Sequence, residues 1–182
     1  MNHFDTAVAF MQCVRAHIQT PESYILARKF GNPNQSWETA HSYYKVHQPG
    51  NEATRYVPKT VGYVIAGMYY KYANKHQTIT NPIKMEDAIW RIYNGATEST
   101  QRRIDRMLAT DVSSPTFPKM FHGICTMVQK QVPMSSIDYT ALLCDLMSWK
   151  SRETQSKWSR AILRWDPTTQ SNSNVTEETN NV

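Results

Sequence analysis

Few residues of this chain stand at spacings that support chemistry. His122 and Cys125 lie three apart, which puts an imidazole and a thiol on one helix face at metal-ligand spacing. A closed site needs two further ligands, and the sequence holds no C-x-x-C and no H-E-x-x-H. A core cysteine beside a surface histidine accounts for the pair, so no metal and no cofactor is expected. Glu86 and Asp87 form a carboxylate pair. Adjacent helical residues point about 100° apart and do not converge on one substrate, so this pair fits a solvated or capped helix start. G-x-x-x-x-G-K-[ST], G-x-G-x-x-G and G-x-S-x-G are also missing. The reading is of a protein that is not an enzyme and has no small-molecule substrate.

The basic residues carry more information. The chain has 182 residues and a net charge of +5. Its last 17 residues hold Asp166, Glu177 and Glu178 and no base, leaving 20 bases against 12 acids in 1–165, a surplus of eight. Such a body suits an anionic partner, nucleic acid before a membrane surface. In the stretch around Gln101, the spacing of Ile104, Met107 and Leu108 marks a buried face. Arg102 and Arg106 point away from it, with Arg103 at the flank. Between 150 and 164 five bases stand against Glu153 alone. Arg152, Lys157 and Arg160 there join Arg28, Lys29, Lys119 and Lys130 as candidate phosphate contacts. Cations presented this way hold a backbone without reading bases. A solvated helix face is the plainer alternative for any one stripe. Tyr43 and Tyr44, or Tyr69, Tyr70 and Tyr72, could stack on bases, although a helical aromatic row is more often core.

The elements that must carry these residues are helical. Apolar residues recur at three and four: Phe4, Val8, Met11, Val14 and Ile18 behind Asp5 as N-cap, with Pro21 as a stop. Tyr24 to Leu26 form a short turn of helix ending at Gly31-Asn32-Pro33. Ser36 caps a third helix through Trp37 and Tyr44. Pro58 opens a long helix through Val61 to Tyr72. Its Gly62 and Gly67 are tolerable if another helix packs closely there. Shorter helices follow around Ile89, capped by Asn94-Gly95, and after Ser99. Ser114-Pro115 starts the helix carrying Phe121 and Cys125. Ser135 to Asp138 has capping-box spacing before Leu142 to Met147, and Trp158 to Trp165 close the pattern. The fold class is therefore all-α, with about eight or nine helices, and the length suits one globular domain or two small bundles. Residues 166–182 are too polar to offset their ordering entropy and read as a disordered tail. Three scattered cysteines, Cys13, Cys125 and Cys144, make no disulfide framework. With neither a signal peptide nor an apolar run near ~20 residues, a cytoplasmic protein is expected.

Three blocks, in order, resemble the CasB family, the small subunit of the type I-E CRISPR Cascade complex. Tyr43-Tyr44-Lys45-Val46-His47-Gln48-Pro49 is similar to an aromatic-basic stretch of that family. Gln101-Arg102-Arg103-Ile104-Asp105-Arg106-Met107-Leu108-Ala109-Thr110-Asp111 resembles its double-arginine helix. Ile137-Asp138-Tyr139 through Leu142-Leu143-Cys144-Asp145-Leu146-Met147-Ser148-Trp149, then Lys157-Trp158, resembles its C-terminal helices. The resemblance spans roughly Ala7 to Trp165. It implies two small packed helical bundles, 1–96 and 97–165, and a non-catalytic subunit of an antiviral surveillance ribonucleoprotein. Two copies would lie beside other Cascade subunits along guide RNA and target DNA, supporting the heteroduplex and the displaced strand of the R-loop. It makes Arg102 and Arg103 the leading contacts and places Arg28-Lys29 at a basic pair. Where many relatives carry arginines this chain has Phe121-His122-Gly123, so Lys119 or Lys130 substitutes. The segment Asn51–Lys59 and the tail have no clear family counterpart. A different class remains open: a free-standing helical DNA-binding regulator. It needs a recognition helix after a short glycine turn, for which Asn94-Gly95 is the nearest candidate.

Overall fold

The computed structural model describes residues 2–32, 37–46, 55–72 and 81–164. Nine α-helices lie among these residues: α1 His3–Ala16, α2 Pro21–Lys29, α3 Trp37–Val46, α4 Lys59–Tyr72, α5 Met85–Tyr93, α6 Glu98–Ala109, α7 Phe117–Val128, α8 Tyr139–Met147 and α9 Arg152–Leu163. The all-α expectation is met. The one strand-like feature among the described residues is an isolated bridge between Ile83 and Ile137. Ser36, Pro49-Gly50, Trp165 and the polar tail lie outside the described residues, as do residues 51–54 of the segment Asn51–Lys59.

The helices hold together because each buries one apolar stripe. α4 buries every residue from Val61 to Met68. α2 packs on α3 and α4, α1 on α8, and α5 on α9, while α4 also meets α7 and α8. Buried side chains from Ala7 to Ile162 make one contiguous cluster drawn from both sides of residue 96. Trp149 and Trp158 sit at its α8–α9 end with centroids 4.9 Å apart, edge to face. The Trp149 indole N–H donates to the Thr110 carbonyl at 2.9 Å.

Gly62 and Gly67 stand where neighbours come closest. A Cβ on Gly62 would run into the Tyr43 phenol, and one on Gly67 would press on the Leu26 carbonyl and Phe30. Tyr43 is itself stacked on Tyr63 at 4.2 Å and cannot retreat freely. Gly62→Ala should therefore lower stability by about 1–3 kcal/mol through overpacking, read as a lower melting temperature. A higher one, as helix propensity alone favours, would refute the close approach.

Several helix starts differ from the sequence expectation. α1 is capped by Asn2, whose side chain accepts the Asp5 N–H, so Asp5 lies inside the first turn. The stripe α1 buries is Ala7, Phe10, Met11 and Val14. Phe4 is 62% exposed, because the start of α1 lies at the end of α8, where His3 bonds Ser148 at 2.7 Å. Pro21 opens α2 behind Thr20. Pro58 precedes α4 and offers its carbonyl to the Gly62 N–H. α6 begins after Thr97, so Ser99 is inside it. α7 begins at Phe117, after Ser114-Pro115. Asp138 caps α8 directly through the Ala141 N–H, with Ser135 in a preceding 3-10 turn. Asn94 does follow α5, but Gly95 does not take up a left-handed cap conformation.

Candidate nucleic-acid interface

α6 is strongly amphipathic: Ile104 and Met107 are buried, and Arg102, Arg103 and Arg106 are exposed. Packing α6 against α7 brings Arg103 and Arg106 beside Lys119, at the rim of a groove of about 260 Å³. Its remaining lining is Met120, Gly123, Ile124 and Met127 of α7. None of the three cations forms an ion pair among the described residues. They are unneutralised and converge, which suits an anion spread along a surface better than a single buried carboxylate. Arg102 is different. It pairs with Glu98 four residues back, not with Asp105, and both side chains are about three-quarters exposed. Such a pair is worth only ~0.2–1 kcal/mol, so phosphate can compete for the arginine.

The other candidates lie apart from this groove. Lys130 is exposed just past the end of α7. Arg28 is exposed on α2, and Lys29 lines a separate cavity. Arg152 is exposed at the start of α9. Arg160 shares a shallow depression with Asp145, Glu153 and Lys157, where the charges balance.

Lys157 is already engaged. Its amine lies 2.7 Å from Asp145 and 3.2 Å from Glu86. The Trp158 indole N–H donates to the same Asp145 carboxylate at 2.8 Å. Burial alone would lower the lysine pKa, but the two carboxylates outweigh it and raise it above the usual value. Glu86 is buried, not solvated as its place at a helix start suggested. Asp87 pairs with Arg164, whose guanidinium lies 4.2 Å over the Trp90 ring.

The side chains of His122 and Cys125 are each engaged with other neighbours. Cys125 is fully buried with its sulfur 4.0 Å from that of Met68, and its thiol is held up by burial. His122 lies edge-on to Phe30 at 4.9 Å and accepts from the Lys71 amine at 2.6 Å. No group of three metal-ligating side chains occurs among the described residues. Burial, then the Lys71 charge, lowers the His122 pKa. The folded state thus takes up a proton less readily than the unfolded chain. The stability this gives is present above the free imidazole value near 6.5 and is lost as pH falls below it, towards the folded value. Melting temperatures between pH 8 and pH 5 should drop more for the parent protein than for His122→Gln.

Sequence reasoning missed two features: the Glu86–Lys157–Asp145 network and the methionines lining the groove. Met120 and Met127 are seven apart on α7, beside its core stripe, and that spacing was the available signal. Among the tyrosines, Tyr43 is stacked on Tyr63 and Tyr69 sits edge-on to Tyr139, whereas Tyr44 is 57% exposed. Among the described residues no helix is long and apolar enough to cross a membrane. Compared with protein-family models, curated proteins and solved structures, the chain matches none.

Proposed function

We propose that this chain is a non-catalytic, cytoplasmic subunit of a CRISPR guide-RNA complex, similar to the CasB small subunits, which grips nucleic-acid backbone through charge. The observation that carries the reading is the convergence of Arg103, Arg106 and Lys119 on one groove without carboxylate partners among the described residues. Arg102 of α6 and Lys130, just past the end of α7, are further exposed cations. The ordered resemblance of the three sequence blocks supplies the kind of complex. Base pairing between guide and target would read sequence, and this subunit, present in two copies beside the other Cascade subunits, would hold the heteroduplex and displaced strand.

The isolated protein should bind duplex DNA, single-stranded DNA and RNA with little sequence preference. Each phosphate neutralised releases counterions, so affinity should fall with salt at a log-log slope of about −0.9 per contact on duplex DNA. Titration of unrelated sequences at several salt concentrations tests this. A footprint confined to one sequence would favour the free-standing regulator, and indifference to salt would refute backbone binding.

A further inference from the structure

The α6–α7 groove offers more than charge. Met120 and Met127 line it and are half-buried, and Ile124 between them in sequence is buried. Gly123 leaves this lining bare, since a Cβ there would meet nothing within 4 Å. Nucleic-acid backbone has no apolar side chain to cover such a surface. Methionines adapt to whatever apolar group arrives. Arg103, Arg106 and Lys119 are exposed beside it, with no carboxylate partner among the described residues. An occupant that uses the whole groove therefore brings an apolar group and carboxylates close together.

The chain contains one such segment. Between residues 166 and 181, Val175 is the one branched aliphatic, methionine or aromatic residue. Glu177 and Glu178 follow it directly after Thr176, and no Lys or Arg in 166–182 neutralises them. The other adjacent acid pair of the chain, Glu86-Asp87, is committed to Lys157 and Arg164. Reach is sufficient. From Arg164, the last described residue, to Val175 an extended chain spans up to about 36–40 Å. α9 packs on α6 and α6 on α7. Packed helix axes lie about 8–10 Å apart, and α6, with 12 residues, is about 18 Å long. The groove thus lies within the tether.

We propose that Val175-Thr176-Glu177-Glu178 docks in the α6–α7 groove of its own chain and competes with nucleic acid for it. Val175 covers the methionines, and the two glutamates face Arg103, Arg106 and Lys119. The competition rests on the nucleic-acid reading above; the docking does not. Tethering supplies an effective concentration of about millimolar, and exposed ion pairs count for only about 1.4- to 5-fold each. The tail is therefore a weak brake that salt or a polyanion displaces.

The test uses the full chain labelled at its methionine methyl groups, first without nucleic acid. The Met120 and Met127 signals, assigned with Met120→Leu and Met127→Leu, should move in Val175→Ser and in the double variant Glu177→Gln with Glu178→Gln. Nucleic-acid titration at low salt follows. The double variant should bind about 2- to 10-fold more tightly, and Val175→Ser should show part of that gain with no change in charge. Both gains should vanish when Arg103, Arg106 and Lys119 are alanine. Methionine signals unmoved by either variant would overturn the docking. Signals of the parent protein that move on dilution would assign the groove to the tail of a second copy and overturn the contact within one chain. A gain that persists in the alanine background, or is absent from Val175→Ser, would reduce the effect to net charge and overturn the competition. Signals that move in variants none of which binds nucleic acid would leave the docking standing and remove the nucleic-acid reading.

Discussion

Lys157→Met is expected to destabilise the protein by about 3 kcal/mol. Removing one partner of a buried ion pair leaves the other charge uncompensated, at about 3–5 kcal/mol. The low end applies because the Lys157 side chain is 42% exposed and water reaches it, whereas Glu86 is only 5% exposed. The loss falls on a junction: Glu86 belongs to α5, Asp145 to α8 and Lys157 to α9. For a domain of this size each kcal/mol shifts the melting temperature by about 2–4 °C, so a fall of about 6–12 °C should be seen. Glu86→Gln added to Lys157→Met should restore part of it, because the more deeply buried of the two orphaned carboxylates is then neutral while Asp145 keeps the Trp158 N–H. A Lys157→Met protein that melts normally yet binds DNA more weakly would return Lys157 to the phosphate contacts.

Replacing Arg103, Arg106 and Lys119 together with alanine is expected to do the reverse. All three are exposed, and surface changes of this kind usually move stability by no more than ~0.5 kcal/mol each. Nucleic-acid affinity should fall at least about tenfold at moderate salt, since three charge-assisted contacts disappear together. The salt slope should become shallower by about 3 units, one per lost phosphate contact. Sequence preference should not change, because backbone contacts carry none. Arg152→Ala, at the start of α9 away from the groove, is the comparison and should alter affinity far less. A normal melt with unchanged affinity would remove the groove from the interface.

Helix identity was readable because local period decides it. Ile104 and Met107, or Trp158 and Ile162, mark their buried faces within one window, and those residues are buried. Helix starts were less readable because more than one polar residue stands at each. Thr97 and Ser99 compete before α6, Asn2 and Asp5 before α1, and the choice depends on where packing lets the first turn begin. Phe4 fits the apolar period of α1 and is nonetheless exposed, since period says nothing about where the neighbouring helix ends.

The interface was legible as a set of cations but not as a place. Arg103 and Lys119 share a groove only because α6 packs on α7. Lys157 stands among bases in its own stretch of chain, which suggested a free cation. Its partners come from α5 and α8, and no local window contains them both.

The most direct measurement is purification of the tagged full-length protein from its native cells under low salt, followed by sequencing of bound RNA and mass spectrometry of bound proteins. The expected result is a stable particle containing other CRISPR-associated subunits and RNAs of one length built from repeat and spacer sequence. It should lose this chain when salt is raised, in line with a charge-held subunit. Recovery of the protein alone, or bound to one defined DNA sequence with no guide RNA, would contradict it.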